Sequence, residues 1–413
     1  MLFIYNLLII MAAAGIRFCV PFSNKLRLFV QGRRHVMAAV KAYIQPSDRI
    51  IWFHAASLGE YEQGVPVMEA VREAFPMHKL VLTFFSPSGF EVRKNNTLSH
   101  LTLYLPLDTP SNASRFIDAL KPEMVFFIKY EFWPNYLRTL KKRQIKTYLI
   151  SAHFREKQIF FKWYGGFYRA ALGAFTCFFV QNESSASLLN KIGFSQVVVS
   201  GDTRFDRVIA IKARGRDLSF MDLFKAGPPI LVAGSTWEKD EDILVPYINN
   251  CGDAIKFVIA PHEINYERIQ ALQKKIGKKV SLYSKIEHSN MAETQVLIVD
   301  TVGLLAKVYA YADVAYVGGG FGSPGVHNVL EPAVYGVPVI CGPHFSHFAE
   351  ATALVDCGAM TSVQGFEEFK RTLDGLFDNE PARWQQGKLA STYVEANRNA
   401  TAKILHKIKT DII

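Results

Sequence analysis

Acidic residues are absent from the first 47 positions of this 413-residue chain. Those positions carry Arg17, Lys25, Arg27, Arg33, Arg34 and Lys41. The whole chain has 47 basic and 37 acidic residues, a net charge of +10. Most of that surplus is therefore concentrated in one segment. Nucleic-acid binding, which needs a basic stripe spread over a domain face, is not expected; attraction to an anionic membrane surface is. Cysteines are few and scattered (Cys19, Cys177, Cys251, Cys341, Cys357). No CxxC or Cys/His ligand spacing occurs, which argues against structural zinc. The pattern reads as reduced cytosolic thiols, mostly buried. A Walker loop and a GxGxxG followed by an acid about 20 residues on are also missing. With 49% hydrophobic and 20% charged residues, the composition excludes disorder and collagen-like structure. The length suits two domains with one core each.

The longest apolar run, Met1 to Ile16, is interrupted only by Asn6. At about 1.5 Å per residue it falls short of a ~30 Å hydrocarbon core. Three readings are open. A signal peptide would be cleaved near Ala12-Ala13-Ala14, but the basic residues follow the apolar run and none precedes it. A helix facing the core or a partner is the second. The third is a membrane anchor, spanning or dipping, with the basic cluster on the cytoplasmic side.

From Ile50 onward, short apolar runs alternate with amphipathic stretches. Strands are expected at Ile50–Ala55, Leu80–Phe85, Leu101–Leu105, Met124–Ile128, Thr147–Ile150, Cys177–Val180 and Val197–Ser200. A polar stretch from Arg204 to Pro229 reads as a linker. A second series follows at Ile230–Ala233, Phe257–Ala260, Val296–Val299, Val314–Val317 and Val337–Cys341. Strands apolar throughout and separated by helices indicate parallel sheets covered on both faces. The expected fold is α/β with two Rossmann-like domains facing a cleft. The expected parts are an anchor at 1–20, a first domain at 21–215 and a second at 216–413, whose last helix crosses back.

Four constellations can carry chemistry. Ala56-Ser57-Leu58-Gly59-Glu60 follows a strand and opens a helix; Glu60 either complements the helix dipole or serves as a general base. Tyr130-Glu131-Phe132-Trp133-Pro134-Asn135 closes another strand, and Glu131 is expected to point into the cleft. Gly234-Ser235-Thr236 and Gly318-Gly319, each after a strand, could hold a phosphate, though capping explains the hydroxyls equally well. In Asn328-Val329-Leu330-Glu331 two polar side chains fall on one helical face, which suits a ribose and phosphate. Asp240-Glu241-Asp242 has the DxD form of some metal-dependent sugar transferases, but reads better as a solvated acidic turn.

Together these pieces resemble the 3-deoxy-D-manno-octulosonic acid (Kdo) transferases, a family similar to GT-B glycosyltransferases. The resemblance rests on Ala56 to Glu60, Leu105-Pro106-Leu107-Asp108-Thr109-Pro110, Glu131 to Asn135, and Gly201-Asp202-Thr203-Arg204-Phe205-Asp206. It continues through Ala233 to Thr236, Asp300-Thr301-Val302-Gly303, Val317 to Gly319, His327 to Pro332, and Gly342-Pro343-His344. It implies inverting transfer of Kdo from CMP-Kdo to a phosphorylated lipid A precursor at the cytoplasmic face of the inner membrane. Acceptor is expected in the first domain and donor in the second, with no metal or other cofactor. Glu60 is implied as base, with Glu131 and Arg204, the latter in place of a family Lys, stabilising the transition state. CMP contacts carry over to Pro261, His262, Val302, Gly303, Leu304, Asn328, Val329, Leu330 and Glu331. The chain departs from the family pattern at His262 and Glu263 (usually Arg-His), at Val302 and Leu304 (often Met and Glu), and at Lys129 (often an acid). Other enzymes of this fold that use a UDP-sugar, transferase or epimerase, are the alternative. A periplasmic binding protein would need the N-terminal segment cleaved.

Overall fold

The computed structural model describes residues 1–215, 217–225 and 227–412. It divides into two compact units. Residues 1–207 and 398–413 form the first, and residues 208–397 the second.

The first unit is built on a seven-stranded parallel sheet. Its strands are β1 (Arg49–Ala55), β2 (His78–Phe84), β3 (Leu101–Tyr104), β4 (Pro122–Ile128), β5 (Lys146–Ala152), β6 (Cys177–Val180) and β7 (Val197–Val199). The spatial order is β3-β2-β1-β4-β5-β6-β7. The central strands are buried along nearly their whole length, as sheets covered by helices on both faces require. One face packs around Trp52, Phe116, Phe127 and Tyr136. The other packs around Phe53, Met68, Phe126 and Tyr148 and takes in Ile404 and Ile408. The last two belong to the helix Ala400–Ile412, which thus returns to the first unit.

The second unit holds β8 (Ile230–Thr236), β9 (Lys256–Pro261), β10 (Val280–Leu282), β11 (Val296–Ile298), β12 (Val314–Val317), β13 (Val339–Cys341) and β14 (Met360–Ser362). They form a second parallel sheet in the order β10-β11-β9-β8-β12-β13-β14. In both sheets the strand order reverses near the centre, between β1 and β4 and between β8 and β12; in the second sheet β11 also inserts between β9 and the edge strand β10. Ligands of open α/β sheets bind outside the carboxyl ends of the strands at such switch points.

Four expectations change. The polar stretch 204–229 is not an extended linker: it contains the helices Thr203–Ala213 and Ser219–Lys225. Phe205, Val208, Met221 and Phe224 are buried there, so a sparse apolar stripe was hidden among charges. The division of the units falls inside the first of these helices, at 207/208, where the sequence suggests 215/216. Arg216 and Ala226 lie outside the described residues. The N-terminal helix runs past Ile16 to Cys19 and continues as a 3-10 turn to Phe22. Leu2–Phe22 is long and apolar enough to cross a membrane, with a mean hydropathy of 2.0, and its 18-residue apolar window is unburied. The cysteines are all free, but only Cys177 and Cys341 are buried.

Candidate active site

In the first unit, β1 and β4 lie side by side, with His54 opposite Phe127. The chain leaving β1 turns at Ala56-Ser57 into the helix Leu58–Ala74, which puts Glu60 in its first turn. The positive end of the helix dipole favours a carboxylate there. Ser57 Oγ donates a hydrogen bond to the Glu60 carboxylate. The chain leaving β4 takes a left-handed turn at Lys129 (φ 68°), an uncommon conformation for a residue with a side chain. Tyr130 follows. Burial pushes its phenol pKa up; Arg155 and Arg204 oppose that rise, and Glu60 and Asp202 add to it. Tyr130 thus sits among four of the charges in question. Arg204 donates to Asp202 through Nε and Nη2 at 2.8 and 2.7 Å. Beside them, burial lowers the pKa of His153, and the nearby cations Arg155, Lys129 and Arg204 lower it further.

Glu131 does not point outward. It is 8% exposed and accepts hydrogen bonds from Trp133 Nε1 at 2.8 Å and His54 Nε2 at 2.9 Å. A carboxylate only accepts, so the proton sits on His54 Nε2. The other ring nitrogen, Nδ1, lies 2.8 Å from the Thr83 hydroxyl and 3.1 Å from the Thr83 carbonyl oxygen. The expected orientation fails because His54, at the end of an otherwise apolar strand, supplies a buried donor. That histidine was the missed residue, and its only signal is a lone polar side chain two positions before the Ala56-Ser57 turn.

The Leu105–Pro110 and Trp133–Asn135 motifs explain each other. Asp108 is buried and accepts from the backbone N–H of Asn135 and Tyr136 at 3.1 and 3.0 Å. It thereby caps the helix Pro134–Lys142 from another segment. It also accepts from Tyr5 Oη at 2.7 Å, and Asn135 Nδ2 donates to Asn6 at 2.9 Å. Both motifs hold the N-terminal helix against this unit.

In the second unit, Gly234-Ser235-Thr236 ends β8, and Gly318-Gly319 follows β12, its neighbour. Ser235 is left-handed (φ 53°), a strained conformation of the kind that clusters at functional sites. The Gly318 N–H donates to Gly234 O and the Gly319 N–H to Asp240, each at 2.9 Å. Both are engaged inside the chain. A side chain on Gly320 would meet the backbone of Gly342 at 2.7 Å, so this loop is glycine-rich to let backbones touch.

The acidic turn is a correction. Asp242 is exposed, but Asp240 is fully buried and Glu241 is 3% exposed. Asp240 accepts from Tyr316 Oη (2.6 Å) and from the N–H groups of Trp237 and Gly319 (both 2.9 Å). Glu241 accepts from Thr236 Oγ1 (3.1 Å) and Arg268 Nη2 (3.0 Å). The two acids brace the loops that end β8 and β12.

Above those loops Trp237, His262 and His327 stack. Ring centroids are 4.6 Å apart for Trp237–His262 and 4.3 Å for His262–His327. Trp237 Nε1 donates to His327 Nε2 at 2.9 Å, which requires that nitrogen to be unprotonated. Burial, with His262 beside it, pushes the His327 pKa down to about 4. Asn328 Nδ2 donates to Glu331 at 3.0 Å, as their spacing suggests. Val302 is exposed, and Gly303 (φ 96°) turns the chain toward the helix Leu305–Val308. The structure thus gathers Glu60, Glu131 and Arg204 around one switch point. It gathers Gly234, Ser235, Thr236, His262, Gly318 and Gly319 around the other.

Residues 30–207 match the family described as 3-deoxy-D-manno-octulosonic-acid transferase (kdotransferase). The chain is 25% identical over 376 residues to the 3-deoxy-D-manno-octulosonic acid transferase of Haemophilus influenzae, covering 88% of this chain and 87% of that protein. It is 27% identical over 299 residues to the protein of the same name from Aquifex aeolicus, covering 71% and 76%. Among solved structures it is similar to UDP-GlcNAc 2-epimerase from Neisseria meningitidis (TM-score 0.62, 13% identity, 88% of this chain and 100% of that one). It is also similar to MurG from Acinetobacter baumannii (TM-score 0.53, 14% identity, 88% and 99%). At such identities the solved structures establish the GT-B-like α/β fold and nothing about chemistry.

Proposed function

We propose that the chain transfers Kdo from CMP-Kdo to a phosphorylated lipid A precursor in lipopolysaccharide synthesis, because residues 30–207 match the Kdo transferase family and relatives of that name match most of its length. The transfer takes place at the cytoplasmic face of the inner membrane. The observation that carries this reading is Glu60. It is a half-buried acid at a helix N-terminus and at a sheet switch point, held by Ser57, and it shares the electrostatic surroundings of Tyr130 with Asp202 and Arg204.

The chemistry follows from the charges. Glu60 takes the proton from an acceptor hydroxyl, whose oxygen bonds to the anomeric carbon of Kdo. The bond from that carbon to the CMP phosphate breaks with inversion, and CMP leaves with the electron pair. Positive charge builds on the sugar and negative charge on the phosphate. Arg204, already oriented by Asp202, stabilises developing negative charge. Glu131 acts as a positioning residue: with Trp133 it holds His54 beneath the turn that carries Glu60. The second unit takes CMP-Kdo through Pro261, His262, Val302 to Leu304 and Asn328 to Glu331. Ser235 and Thr236 lie at the phosphate end. A donor with one phosphate does not require the metal that clamps a diphosphate.

The test is Glu60→Gln, which keeps size and hydrogen bonding and removes the base. Transfer from CMP-Kdo to lipid A precursor should fall by about two to four orders of magnitude, with donor binding nearly unchanged. CMP should compete for that binding and UDP should not. Near wild-type transfer by the variant would remove Glu60 from the mechanism. Preferential competition by UDP would move the enzyme to the UDP-sugar alternative.

A further inference from the structure

Between β5 and the helix Gly166–Leu172 the first unit carries a braced loop with an unusual surface. Trp163 is 90% exposed, and Tyr164 and Ile159 are 55% and 37% exposed. Large apolar side chains left in water in one short segment cost hydration free energy and generally mark a contact surface. The loop is not slack. Phe154 and Phe160 are buried beneath it and pack on Phe132. Arg169 donates to the carbonyls of Phe160 (3.0 Å) and Lys162 (2.8 Å). The Gly165 N–H closes back on Lys162 O at 2.9 Å, and no larger residue fits there, because a Cβ would meet Ile159 O. The backbone is fixed while the apolar tips are left out.

Two features identify what covers those tips. The first is continuity. Phe167, at the start of the next helix, lies 5.7 Å from Tyr5 of the N-terminal helix, ring to ring. Tyr5 and Asn6 are also tied to Asp108 and Asn135. The loop and the bare apolar helix Leu2–Phe22 therefore belong to one side of the first unit. The second is charge. Arg155, Lys157 and Lys162 flank the aromatic tips, with Glu156 the only acid from 153 to 165. Aromatic rings with polar edges, set among lysines, suit the headgroup layer of a bilayer.

We infer that Ile159, Trp163 and Tyr164 form a second membrane-seating point. It inserts into the interface of an anionic phospholipid bilayer beside the N-terminal helix. A single helix leaves the attached unit free to swing and rotate. A second, rigid point of contact fixes which side of the first unit meets the lipid. The inference rests on the first unit alone and holds whichever donor the enzyme uses.

The test is fluorescence of the full-length protein in vesicles of phosphatidylethanolamine and phosphatidylglycerol with brominated acyl chains, compared with the same vesicles without bromine. Bromine quenches only indoles within contact range of the acyl chains. The wild type should show a quenched component that Trp163→Phe lacks, with unchanged circular dichroism. Of the other tryptophans, Trp52, Trp133 and Trp237 are buried or half-buried, while Trp384, 66% exposed, belongs to the second unit. Lys157→Gln with Lys162→Gln should weaken that quenching, and pure phosphatidylcholine vesicles should weaken it likewise. Equal quenching in wild type and Trp163→Phe, or none in either, overturns the inference. Neither result bears on transfer, which is measured with detergent-dispersed acceptor.

Discussion

His327 illustrates how a single residue ties chemistry to stability. Its ring is neutral in the fold because Trp237 donates to Nε2 and because burial disfavours the cation. In the unfolded chain it titrates near 6.5. Between about 4 and 6.5 the unfolded state therefore binds more protons than the folded state. Stability then rises with pH through that window and is lost as pH falls, the loss being complete below both values. With solvent screening allowed for, the effect is about 1–3 kcal/mol. His262, also lowered mainly by burial, adds in the same direction. Denaturant midpoints measured from pH 7 to 4 should fall for the wild type. They should fall less for His327→Gln, which keeps an acceptor for Trp237 and cannot titrate. Equal slopes would remove His327 as the cause. At this scale the sequence is only partly legible. The place of Glu60 in the first turn of its helix could be read, because it depends on a local turn. The inward orientation of Glu131 could not, because it depends on His54, 77 positions away in the chain and adjacent only once β1 and β4 pair. Asp240 and Glu241 were misread for the same reason: their partners Tyr316, Gly319 and Arg268 are remote in sequence.

Elements were more legible, because buried parallel strands are apolar along their whole length. Twelve strands lie where apolar runs put them. The two without a forecast, β10 and β14, are three-residue strands at sheet edges, and Ser281 and Thr361 interrupt their apolar pattern. The polar 204–229 stretch misled because its buried residues are widely spaced. The helix Ala400–Ile412 is the element whose destination matters most. Its N-terminal turn is held by Asp206, which accepts from the N–H groups of Asn399 (2.7 Å) and Thr401 (2.6 Å). Ile404 and Ile408, four apart and fully buried, face the sheet with Tyr148 and Phe179. Ile408→Ala should cost about 2–4 kcal/mol, the range for a truncated core isoleucine. Lys409→Ala, exposed and one position on, should change stability by less than about 0.5 kcal/mol. Chemical denaturation followed by tryptophan fluorescence measures both. If the two variants are equally stable, the helix contributes little to the first unit.

At the scale of the whole molecule the basic, acid-free N-terminal stretch is divided between two tasks. Arg33 is not a surface charge. Its guanidinium lies 3.6 Å over the Phe29 ring and donates to the carbonyls of Leu105 (2.8 Å) and Phe85 (2.6 Å). Burial pushes its pKa down to about 10. It pins the segment 24–34 to the first unit. Arg17, Lys25, Arg27, Arg34 and Lys41 are exposed and remain for an anionic surface, at about 1 kcal/mol each where they reach it. The proposed membrane attachment combines a hydrophobic part, Leu2–Phe22, and an electrostatic part, and salt separates them. Salt screens exposed charges within a Debye length of ~4 Å at about 0.5 M but leaves apolar insertion in place. The wild type should stay on anionic vesicles from low salt to about 1 M. A protein lacking residues 1–22 should bind at low salt, through the remaining cations and the Trp163 loop, and be released by about 0.5 M. Its transfer to detergent-dispersed acceptor should persist, because Glu60, Glu131 and Arg204 are carried by other segments. Sedimentation of both proteins across a salt series reads the outcome directly. Salt-resistant binding by the shortened protein would place the anchor elsewhere, and release of the wild type would make Leu2–Phe22 a helix that lies against protein and not in lipid.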